Sequence, residues 1–298
     1  LFFAHAVDFL KYIWNGLRDL SPLVRDGSKL ALSAVLTLVS ERYSLNNTWY
    51  EDLFEKTKQG LSPNKPPEHI HGSLLVIEEL LNHAPEFMNR NMSFTCDTVL
   101  QYANDKDKLV KNTVIRLIPS LATVYQKHFV DVYFERSIRI MMTVLNSGSN
   151  ERALTFIALG HLSKQVGEEP LKPHIDTIMT AIKDGITPRN RRVFVPEALT
   201  CLSMVGEAVG EVIAVYVSNM LGMLLLLLFS YFSCSCSYVA WEQFLRINSK
   251  TNAFSLCVSV CDMCRPNVLC RSHKFPNRLF DITGQAHTIT VASHSGAI

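Results

Sequence analysis

The chain has 298 residues, of which 48% are hydrophobic and 19% are charged, with a formal net charge of +2. This length and apolar content allow a large buried core, and the near-neutral charge argues against a dedicated nucleic-acid surface. Only Cys96 and Cys201 precede residue 220, which fits a reducing compartment where thiols act as small core side chains. The start at Leu1 rather than Met leads us to expect an internal fragment or an incomplete gene model. No signal peptide is predicted, since the first residues lack a basic flank and a small-residue cleavage site.

The first helical hairpin is predicted from helices at 3–20 and 22–42. Between them, Ser21 and Pro22 stand where an N-cap and a first-turn proline belong. One apolar stripe along the second helix should face the core. Its residues are Leu30, Ala31, Ala34, Val35 and Leu38.

The second hairpin is predicted from helices at 49–58 and 69–83. Between them lies a loop at 59–68, marked by three prolines and a glycine, which we expect to be mobile. The second helix again has an apolar stripe. It includes Ile70, Leu74 and Ile77.

The clearest helical pattern of the sequence lies at 104–126. Asn104 or Asp105 can cap its start, because a short side-chain oxygen accepts the unpaired N–H groups of the first turn. Pro119 should bend this helix, since proline removes a hydrogen bond to the preceding turn and clashes with it. The apolar stripe consists of Val110, Val114, Leu117, Ile118, Leu121 and Tyr125.

The remaining helices repeat this arrangement at intervals of about 40 to 46 residues, a period that is typical of HEAT-type solenoids. The sequence therefore predicts an all-α protein, a HEAT-type α-solenoid of about five helical hairpins over residues 1–221, with a sixth hairpin beginning at Glu211. The further helices are predicted at 87–102, 129–145, 149–166, 171–185 and 192–209. Two later stripes comprise Leu154, Ile157, Ala158 and Leu162, and Val195, Leu199, Leu202 and Val205.

Four segments carry a more specific pattern: HIHGSLLVIEEL at 69–80, TVIRLIPSLA at 113–122, ALGHLS at 158–163 and TCLSM at 200–204. They resemble the N-terminal HEAT-repeat region of the target-of-rapamycin (TOR) serine/threonine kinases, in the phosphoinositide-kinase-related family. The resemblance runs to about Leu221. It implies a non-catalytic scaffold fragment of an oligomeric TOR-like kinase in growth and nutrient signalling.

The resemblance also implies partners and a location. HEAT surfaces of this region would dock a raptor-like subunit, as in TORC1. The protein would be cytoplasmic, associated with endomembranes through its partners. No nucleic acid is expected as a partner.

No residue pattern in the sequence supports catalysis. The sequence has no glycine-rich phosphate loop, no H-R-D loop and no D-F-G site, so we predict no catalytic, cofactor-binding or metal-binding residues and no cofactor. His69 and His71 lie two positions apart on a helix and point to different faces, which favours surface or packing roles over metal binding. Glu168 and Glu169 are interpreted as an exposed loop, and the basic stretch at 189–192 as a solvated turn.

The composition changes near residue 220, so 222–298 is predicted to be a separate hydrophobic and cysteine-rich tail of irregular structure. We favour the hypothesis that this tail comes from translated intron or frameshifted sequence. The alternative rests on 212–241, which holds no formal charge and is long enough to cross a bilayer. On that alternative the chain is a single-pass membrane protein with a cytosolic helical domain.

Four cysteines in the tail could bind metal. The spacing of Cys257, Cys261 and Cys264 resembles the iron–sulfur motif of radical S-adenosylmethionine enzymes, but only 34 residues follow Cys264, too few for the barrel that such chemistry needs. With Cys270 the set could form a four-cysteine zinc site, although a second well-separated C-x2-C pair is missing. No metal site is therefore predicted.

Overall fold

A computed structural model describes most of the chain up to residue 218 and four residues of the tail. The chain divides into two units, Leu1–Ala253 and Phe254–Ile298. The described residues are 2–41, 46–62, 64–147, 150–187, 194–218, 279–280 and 286–287.

The described part of the first unit is helical, with short connections. Its α-helices are α1 (Phe2–Gly16), α2 (Pro22–Ser40), α3 (Asn46–Gly60), α4 (Pro67–His83), α5 (Pro85–Arg90), α6 (Met92–Gln101), α7 (Lys108–Val132), α8 (Phe134–Asn146), α9 (Arg152–Val166), α10 (Glu168–Leu171), α11 (Ile175–Ile186) and α12 (Val195–Val209). Short 3₁₀ helices are η1 (Tyr102–Asn104), η2 (Lys172–His174) and η3 (Gly210–Ile213).

The helices pair into successive hairpins, which are α1 with α2, α3 with α4, α5 and α6 with α7, α8 with α9, and α11 with α12. We call the second helix of each hairpin (α2, α4, α7, α9 and α12) a B helix. Each B helix contacts the next B helix along the chain, so the hairpins stack in sequence order. The all-α class and the five hairpins predicted from the sequence are confirmed in the described residues of the first unit.

The core runs through the B helices. All six stripe residues predicted for α7 are buried, with at most 5% of each exposed. The predicted stripes of α4 and α12 are buried as well. A central B helix is apolar over most of its circumference because its own hairpin partner and two neighbouring B helices cover it.

The stripe predicted for α2 is wrong. Leu30 is 73% exposed and Leu38 is 44% exposed, and of the predicted set only Val35 is buried. The helix has a second apolar face that periodicity alone cannot distinguish from the first, and the second face packs against its neighbours. That buried face consists of Leu32, Val35, Leu36 and Val39.

The stripe predicted for α9 is half right. Ala158 and Leu162 are buried, whereas Leu154 and Ile157 are only half-buried. Phe156 and Leu159, which lie outside the predicted stripe, are fully buried instead. Helix α9 contacts α7 on one side and α12 on the other, and these contacts bury a face that differs from the predicted apolar stripe.

The cap of α7 also differs from the prediction. The N-cap is Asp107, whose Oδ1 accepts hydrogen bonds from the backbone N–H groups of Leu109 (2.8 Å) and Val110 (3.2 Å). Asn104 ends η1, and the side chain of Asp105 accepts the N–H of Asp107 at 2.8 Å. The residues that were expected to start α7 therefore form the end of η1 and the position directly after it.

Helix α7 continues through Pro119, and its marked break lies further on. The backbone leaves the helical region at Gln126, where φ is 40° and ψ is −119°. The sequence predicted the end of one helix at 126 and the start of the next at 129, and the break falls at the last residue of the first of these helices. After the break α7 continues to Val132.

Two other predicted helices are divided. The helix predicted at 87–102 becomes α5 and α6, which meet at Asn91. The helix predicted at 171–185 becomes α10, η2 and α11, because Pro173 lies in the first positions of η2. Where a sixth hairpin was predicted, η3 is followed by helical residues at 214–218.

The tail has two described segments, both extended. Strands β1 (Leu279–Phe280) and β2 (Ala286–His287) pair antiparallel, Leu279 opposite His287 and Phe280 opposite Ala286. The sequence did not predict these strands. The predicted boundary at 221/222 lies outside the described residues and stays a prediction.

Candidate functional site

The histidines considered as metal ligands do not come together. His71 is buried inside the stack at 4% exposure, whereas His69 is half-buried at the start of α4. Among the described residues, no group of three or more His, Cys, Asp or Glu side chains could hold a metal ion. The four tail cysteines and the basic stretch at 189–192 lie outside the described residues.

Glu168 and Glu169 open a short helix, α10, and do not form the loop that was predicted. Both carboxylates pair with Lys172 Nζ, at 3.1 Å and 2.7 Å. The negative charges therefore bind a lysine one turn away at the surface. This arrangement stabilises a helix terminus and places no acid opposite a base.

The two cysteines of the stack are core residues. Cys96 and Cys201 are fully buried. Burial raises the pKa of the Cys96 thiol to about 12 and raises that of Cys201 as well. A thiol that stays protonated is a poor nucleophile, so both side chains act in packing, as the sequence predicted.

A series of ion pairs joins the B helices. Every contact between consecutive B helices carries at least one such pair, with Glu151 at the N-cap of α9, and we call the series of four pairs given below the charge ladder. Pairs of this kind, partly exposed, contribute only about 0 to 1 kcal/mol each, so they fix which helices face each other more than they stabilise the fold. The pairs are Lys29–Glu78 (2.8 Å), Arg116–Glu78 (3.3 Å), Lys108–Glu151 (3.3 Å) and Lys164–Glu207 (2.7 Å).

The most enclosed part of the charge ladder lies between α2 and α4. Glu79 has a side chain only 5% exposed, and it lies 3.6 Å from Lys29 Nζ and 3.4 Å from His83 Nε2. The same Nε2 atom is 2.8 Å from Ser33 Oγ. The buried carboxylate is thus surrounded by hydrogen-bonding groups from both helices, which buried charges require.

His71 is a second buried histidine, on the same helix as Glu79 and His83. Burial, and next the charges of Arg25 and Arg116, lower the pKa of His71 from 6.5 to about 4, although Asp107 and Asp26 oppose the shift. Within the described residues, its Nδ1 atom has no hydrogen-bond partner. The imidazole is therefore neutral in the folded protein at physiological pH.

A pH dependence follows from His71. Between pH 6.5 and pH 4 the unfolded chain binds a proton at this histidine and the folded chain does not, so stability falls as the pH falls. From pH 7 to pH 5 this histidine should lower the free energy of unfolding by about 2 kcal/mol. Urea denaturation of a His71→Leu variant at both pH values should show that much less loss.

The exposed His161 offers the control. His161→Gln should leave the difference in unfolding free energy between pH 7 and pH 5 unchanged. An equal pH dependence in His71→Leu and the unsubstituted chain would show that His71 is not held neutral by burial.

An open cleft of about 1000 Å³ lies between the second and third hairpins. It is formed where the α3–α4 loop meets α6, η1 and the start of α7. The loop is held in place because the Tyr102 hydroxyl donates a hydrogen bond to the Leu61 carbonyl at 2.7 Å. Polar and aromatic side chains line its rim, among them Lys58, Lys65, Lys106, Phe94, Tyr102 and Asp105.

Some of the charged residues at the cleft are paired within the protein, and others are exposed. Asp105 and Asp107 are occupied by the backbone N–H groups of the α7 cap. Lys58 is paired with Glu55 at 2.6 Å and lies over the rings of Phe54 and Phe94. Lys65 and Lys106 are exposed residues of the lining, and their positive charge favours a partner that carries negative charge.

One described helical stretch is long and apolar enough to span a membrane. It runs from Val195 to Ser218, and 44% of its most apolar window is buried in the stack. Ile213 and Val217, in the part that overlaps the predicted span at 212–241, are buried at 0% and 4% exposure. Residues 219–241 lie outside the described residues, so the membrane alternative stays a prediction, which alkaline carbonate extraction would test.

The charge ladder was not predicted from the sequence. Its carboxylates lie beside the apolar stripes, and their partners lie a full repeat away, as in Lys164–Glu207. Charged residues recurring next to the stripe at the repeat period were the available signal.

Three TOR kinases illustrate the sequence similarity of the chain. Serine/threonine-protein kinase TOR of Arabidopsis thaliana is 34% identical over 222 residues, which are 74% of this chain and 9% of that protein. The TOR kinase of Oryza sativa subsp. japonica is 33% identical over 70% of this chain and 8% of its own length. TOR2 of Saccharomyces cerevisiae is 23% identical over 84% of this chain and 10% of its own length. The chain thus spans about a tenth of the curated relatives that it matches, and no protein-family model matches it.

Solved structures with the same fold include the karyopherin Kap121p. A crystal structure of a Kap121p mutant has a TM-score of 0.67 at 13% identity and covers 87% of this chain and 27% of that chain. Kap121p bound to Ste12p gives a TM-score of 0.67 at 14% identity. At these identities the likeness concerns the fold alone, and it confirms the helical solenoid class.

Proposed function

We propose that this chain, a homologue of one segment of the TOR serine/threonine kinases, is a non-catalytic scaffold segment of a TOR-like kinase that presents solenoid surfaces to protein partners. The observation that carries the proposal is the succession of five stacked hairpins in a chain that is similar to those kinases over 74% of its length. Stacked repeats bury their stripes against each other and leave long ridges free for binding. The kinase activity would belong to the longer parent protein.

The partner proposed for these surfaces is a raptor-like subunit, in an assembly of the TORC1 type. The cleft between the second and third hairpins supports a docking role, because it combines the exposed lysines Lys65 and Lys106 with Phe94, which is 40% exposed. Aromatic side chains are enriched at protein interfaces, whose rims are polar, and charges at a rim steer the approach of an oppositely charged partner. Growth and nutrient signalling would follow from that assembly.

The proposed location is the cytoplasm, with endomembranes reached through partners. The support is chemical: Cys96 and Cys201 are free thiols inside the core, as expected in a reducing compartment. Microscopy of the tagged parent protein would test the proposal. Secretion of the protein would contradict it.

Binding to the raptor-like subunit tests the docking function. The full chain, and a longer solenoid containing it, should co-purify with that subunit. Lys65→Glu combined with Lys106→Glu should weaken the interaction about tenfold, mainly by slowing association, because rim charges act on the encounter rate. Surface plasmon resonance at two salt concentrations would measure the change.

A matched charge reversal separates the cleft from a general charge effect. Lys127→Glu combined with Lys183→Glu changes the net charge equally at exposed positions away from the cleft. This control should bind as the unsubstituted chain does. Failure of the longer solenoid to bind would refute the docking proposal, and equal losses in both variants would refute the role of the cleft.

A further inference from the structure

Arg18 lies between the first two hairpins, and its charge has no partner among the described residues. It belongs to the turn between α1 and α2, and its side chain is half-buried. Within the part of the chain that the structure describes, its guanidinium forms no ion pair and donates no hydrogen bond, and its Nε atom is buried. Since the great majority of buried polar atoms in folded proteins are paired, this arginine is unusual.

The side chain of Arg18 is fixed by its surroundings. Its Cγ atom lies 2.9 Å from the place that a Cβ atom on Gly72 would take, and its Nη2 atom lies 3.1 Å from the corresponding place at Gly60. The centre of the Trp14 ring lies 4.5 Å from Cζ. Two glycines thus leave room for the arginine, and the indole covers one face of the guanidinium. A side chain that is already fixed loses little conformational entropy when it binds a ligand.

The neighbouring groups do not supply a full negative charge. Gly60 is the last residue of α3, and the C-terminal end of a helix carries only a partial negative charge. The carboxylate of Asp19 accepts the backbone N–H of Ser21 at 2.8 Å. Burial lowers the pKa of Arg18, because the charged form is less well solvated there than in water, although an arginine keeps its proton. A counter-charge from another molecule would therefore stabilise the guanidinium.

The free edge of the guanidinium suits a carboxylate. Trp14 covers a face, and the Nε atom lies on the buried inner edge. Because the stem and Nε are enclosed while the residue as a whole is only half-buried, the exposed part is the outer edge with the two Nη atoms. Carboxylates bind a guanidinium in its own plane through two parallel hydrogen bonds. A ligand of this kind would not displace the indole.

The charges near Arg18 favour a ligand with one negative charge. Burial, and next the charges of Arg18 and Lys65, lower the pKa of His69 from 6.5, and Glu68 opposes the shift. These three charged groups therefore act on the same region at the start of α4, where His69 is neutral at pH 7. Two positive charges and one negative charge leave one positive charge, which matches a carboxylate better than a phosphate group with nearly two negative charges.

We propose that Arg18, with Trp14 stacked on its guanidinium, binds the carboxylate of an aspartate or glutamate side chain of a partner protein at the junction of the first two hairpins. Arginine and tryptophan are the side chains that most often dominate the binding energy of protein interfaces. The proposal does not rest on the docking of a raptor-like subunit at the cleft, because neither Arg18 nor Trp14 lines the cleft.

Protection from chemical modification tests this binding in the full chain without any substitution. Phenylglyoxal modifies accessible arginines, and peptide mass spectrometry gives the rate at each position. A short peptide with two adjacent glutamates should slow the modification of Arg18 several-fold and leave that of the exposed Arg136 unchanged. The same peptide with glutamines in place of the glutamates should protect neither arginine. Equal modification of Arg18 with and without the glutamate peptide would overturn the proposal.

Fluorescence anisotropy of the labelled glutamate peptide gives a second measurement. Arg18→Lys keeps the charge but loses the planar fork and the stacking on Trp14, so it should weaken binding about tenfold. Arg136→Lys is the matched control, and Lys106→Glu is the control for the cleft. Both should bind the peptide as the unsubstituted chain does.

Three results of the anisotropy measurement would overturn the proposal. Unchanged binding by Arg18→Lys would exclude the arginine as the ligand-binding group. A loss with Lys106→Glu that Arg18→Lys does not share would place the peptide at the cleft, and would leave the proposed docking function standing. Tighter binding of a phosphoserine peptide of the same length would show that the site takes a phosphate group and not a carboxylate.

Discussion

Replacing Leu117 by alanine should lower the free energy of unfolding by about 2 to 5 kcal/mol. Leu117 is fully buried on α7, the B helix in the middle of the stack, which contacts both α4 and α9. Truncation leaves a cavity that the rigid helices on either side cannot fill, so the loss of apolar transfer energy and the cavity add together. Urea denaturation followed by circular dichroism would measure the change.

Leu30→Ala is the matched control, because it removes the same atoms from a side chain that is 73% exposed. It should change the unfolding free energy of this chain by no more than about 0.5 kcal/mol. Equal changes in unfolding free energy for Leu117→Ala and Leu30→Ala would contradict a stacked core around α7.

The second large effect concerns a close approach of two helices. Gly72 of α4 packs against the turn that follows α1, where a Cβ atom would lie 3.0 Å from the Leu17 carbonyl oxygen and 2.9 Å from Arg18 Cγ. Gly72→Ala should therefore destabilise the protein by about 1 to 3 kcal/mol, because backbone atoms must move apart. Alanine is the better helix former, so the sign of the effect reports packing and not propensity.

Gly27→Ala gives the opposite expectation. Gly27 lies inside α2 with open space around it, so alanine should stabilise the chain by about 0.5 to 1 kcal/mol through helix propensity alone. Thermal unfolding of both variants would compare them. Stabilisation by Gly72→Ala would contradict the close contact between the first two hairpins.

Much of the fold is predictable from the sequence because its main signal is physical and local. Six apolar residues of α7 at helical spacing lie in the core, and the recurrence of that spacing along the chain predicts the five hairpins. The family resemblance rests on segments in α4, α7, α9 and α12, which are B helices of the stack. Apolar positions and helix order are therefore readable from residue type alone.

The wrong predictions concern features that depend on where a helix lies in the stack, such as which of its faces is buried and where it begins. Helix α2 has apolar residues on two faces, and only the location of α4 determines that Leu32 is buried and Leu30 is exposed. The cap of α7 moved to Asp107 because a 3₁₀ turn precedes it. The buried face and the N-cap of a helix are determined by contacts with neighbouring segments, and the sequence of one helix alone does not show those contacts.

The candidate site was harder to predict than the fold. No sequence motif marks the cleft, whose lysines and aromatic residues come from separate segments of two hairpins. The charge ladder joins residues that are 38 to 49 positions apart, such as Arg116 with Glu78 and Lys29 with Glu78. Surfaces of a repeat protein are assembled by stacking, so the stack must be known before its surfaces can be described.

Zero-length carbodiimide cross-linking of the full chain, read by mass spectrometry, tests the stacked order of the B helices most directly. Only lysine and carboxylate groups in contact can form such amide links. We expect links from Lys29 to Glu78, from Lys108 to Glu151 and from Lys164 to Glu207, each between consecutive B helices. Links that skip a hairpin, such as one from Lys29 to Glu207 within a single molecule, together with the absence of these three, would contradict the stacked order.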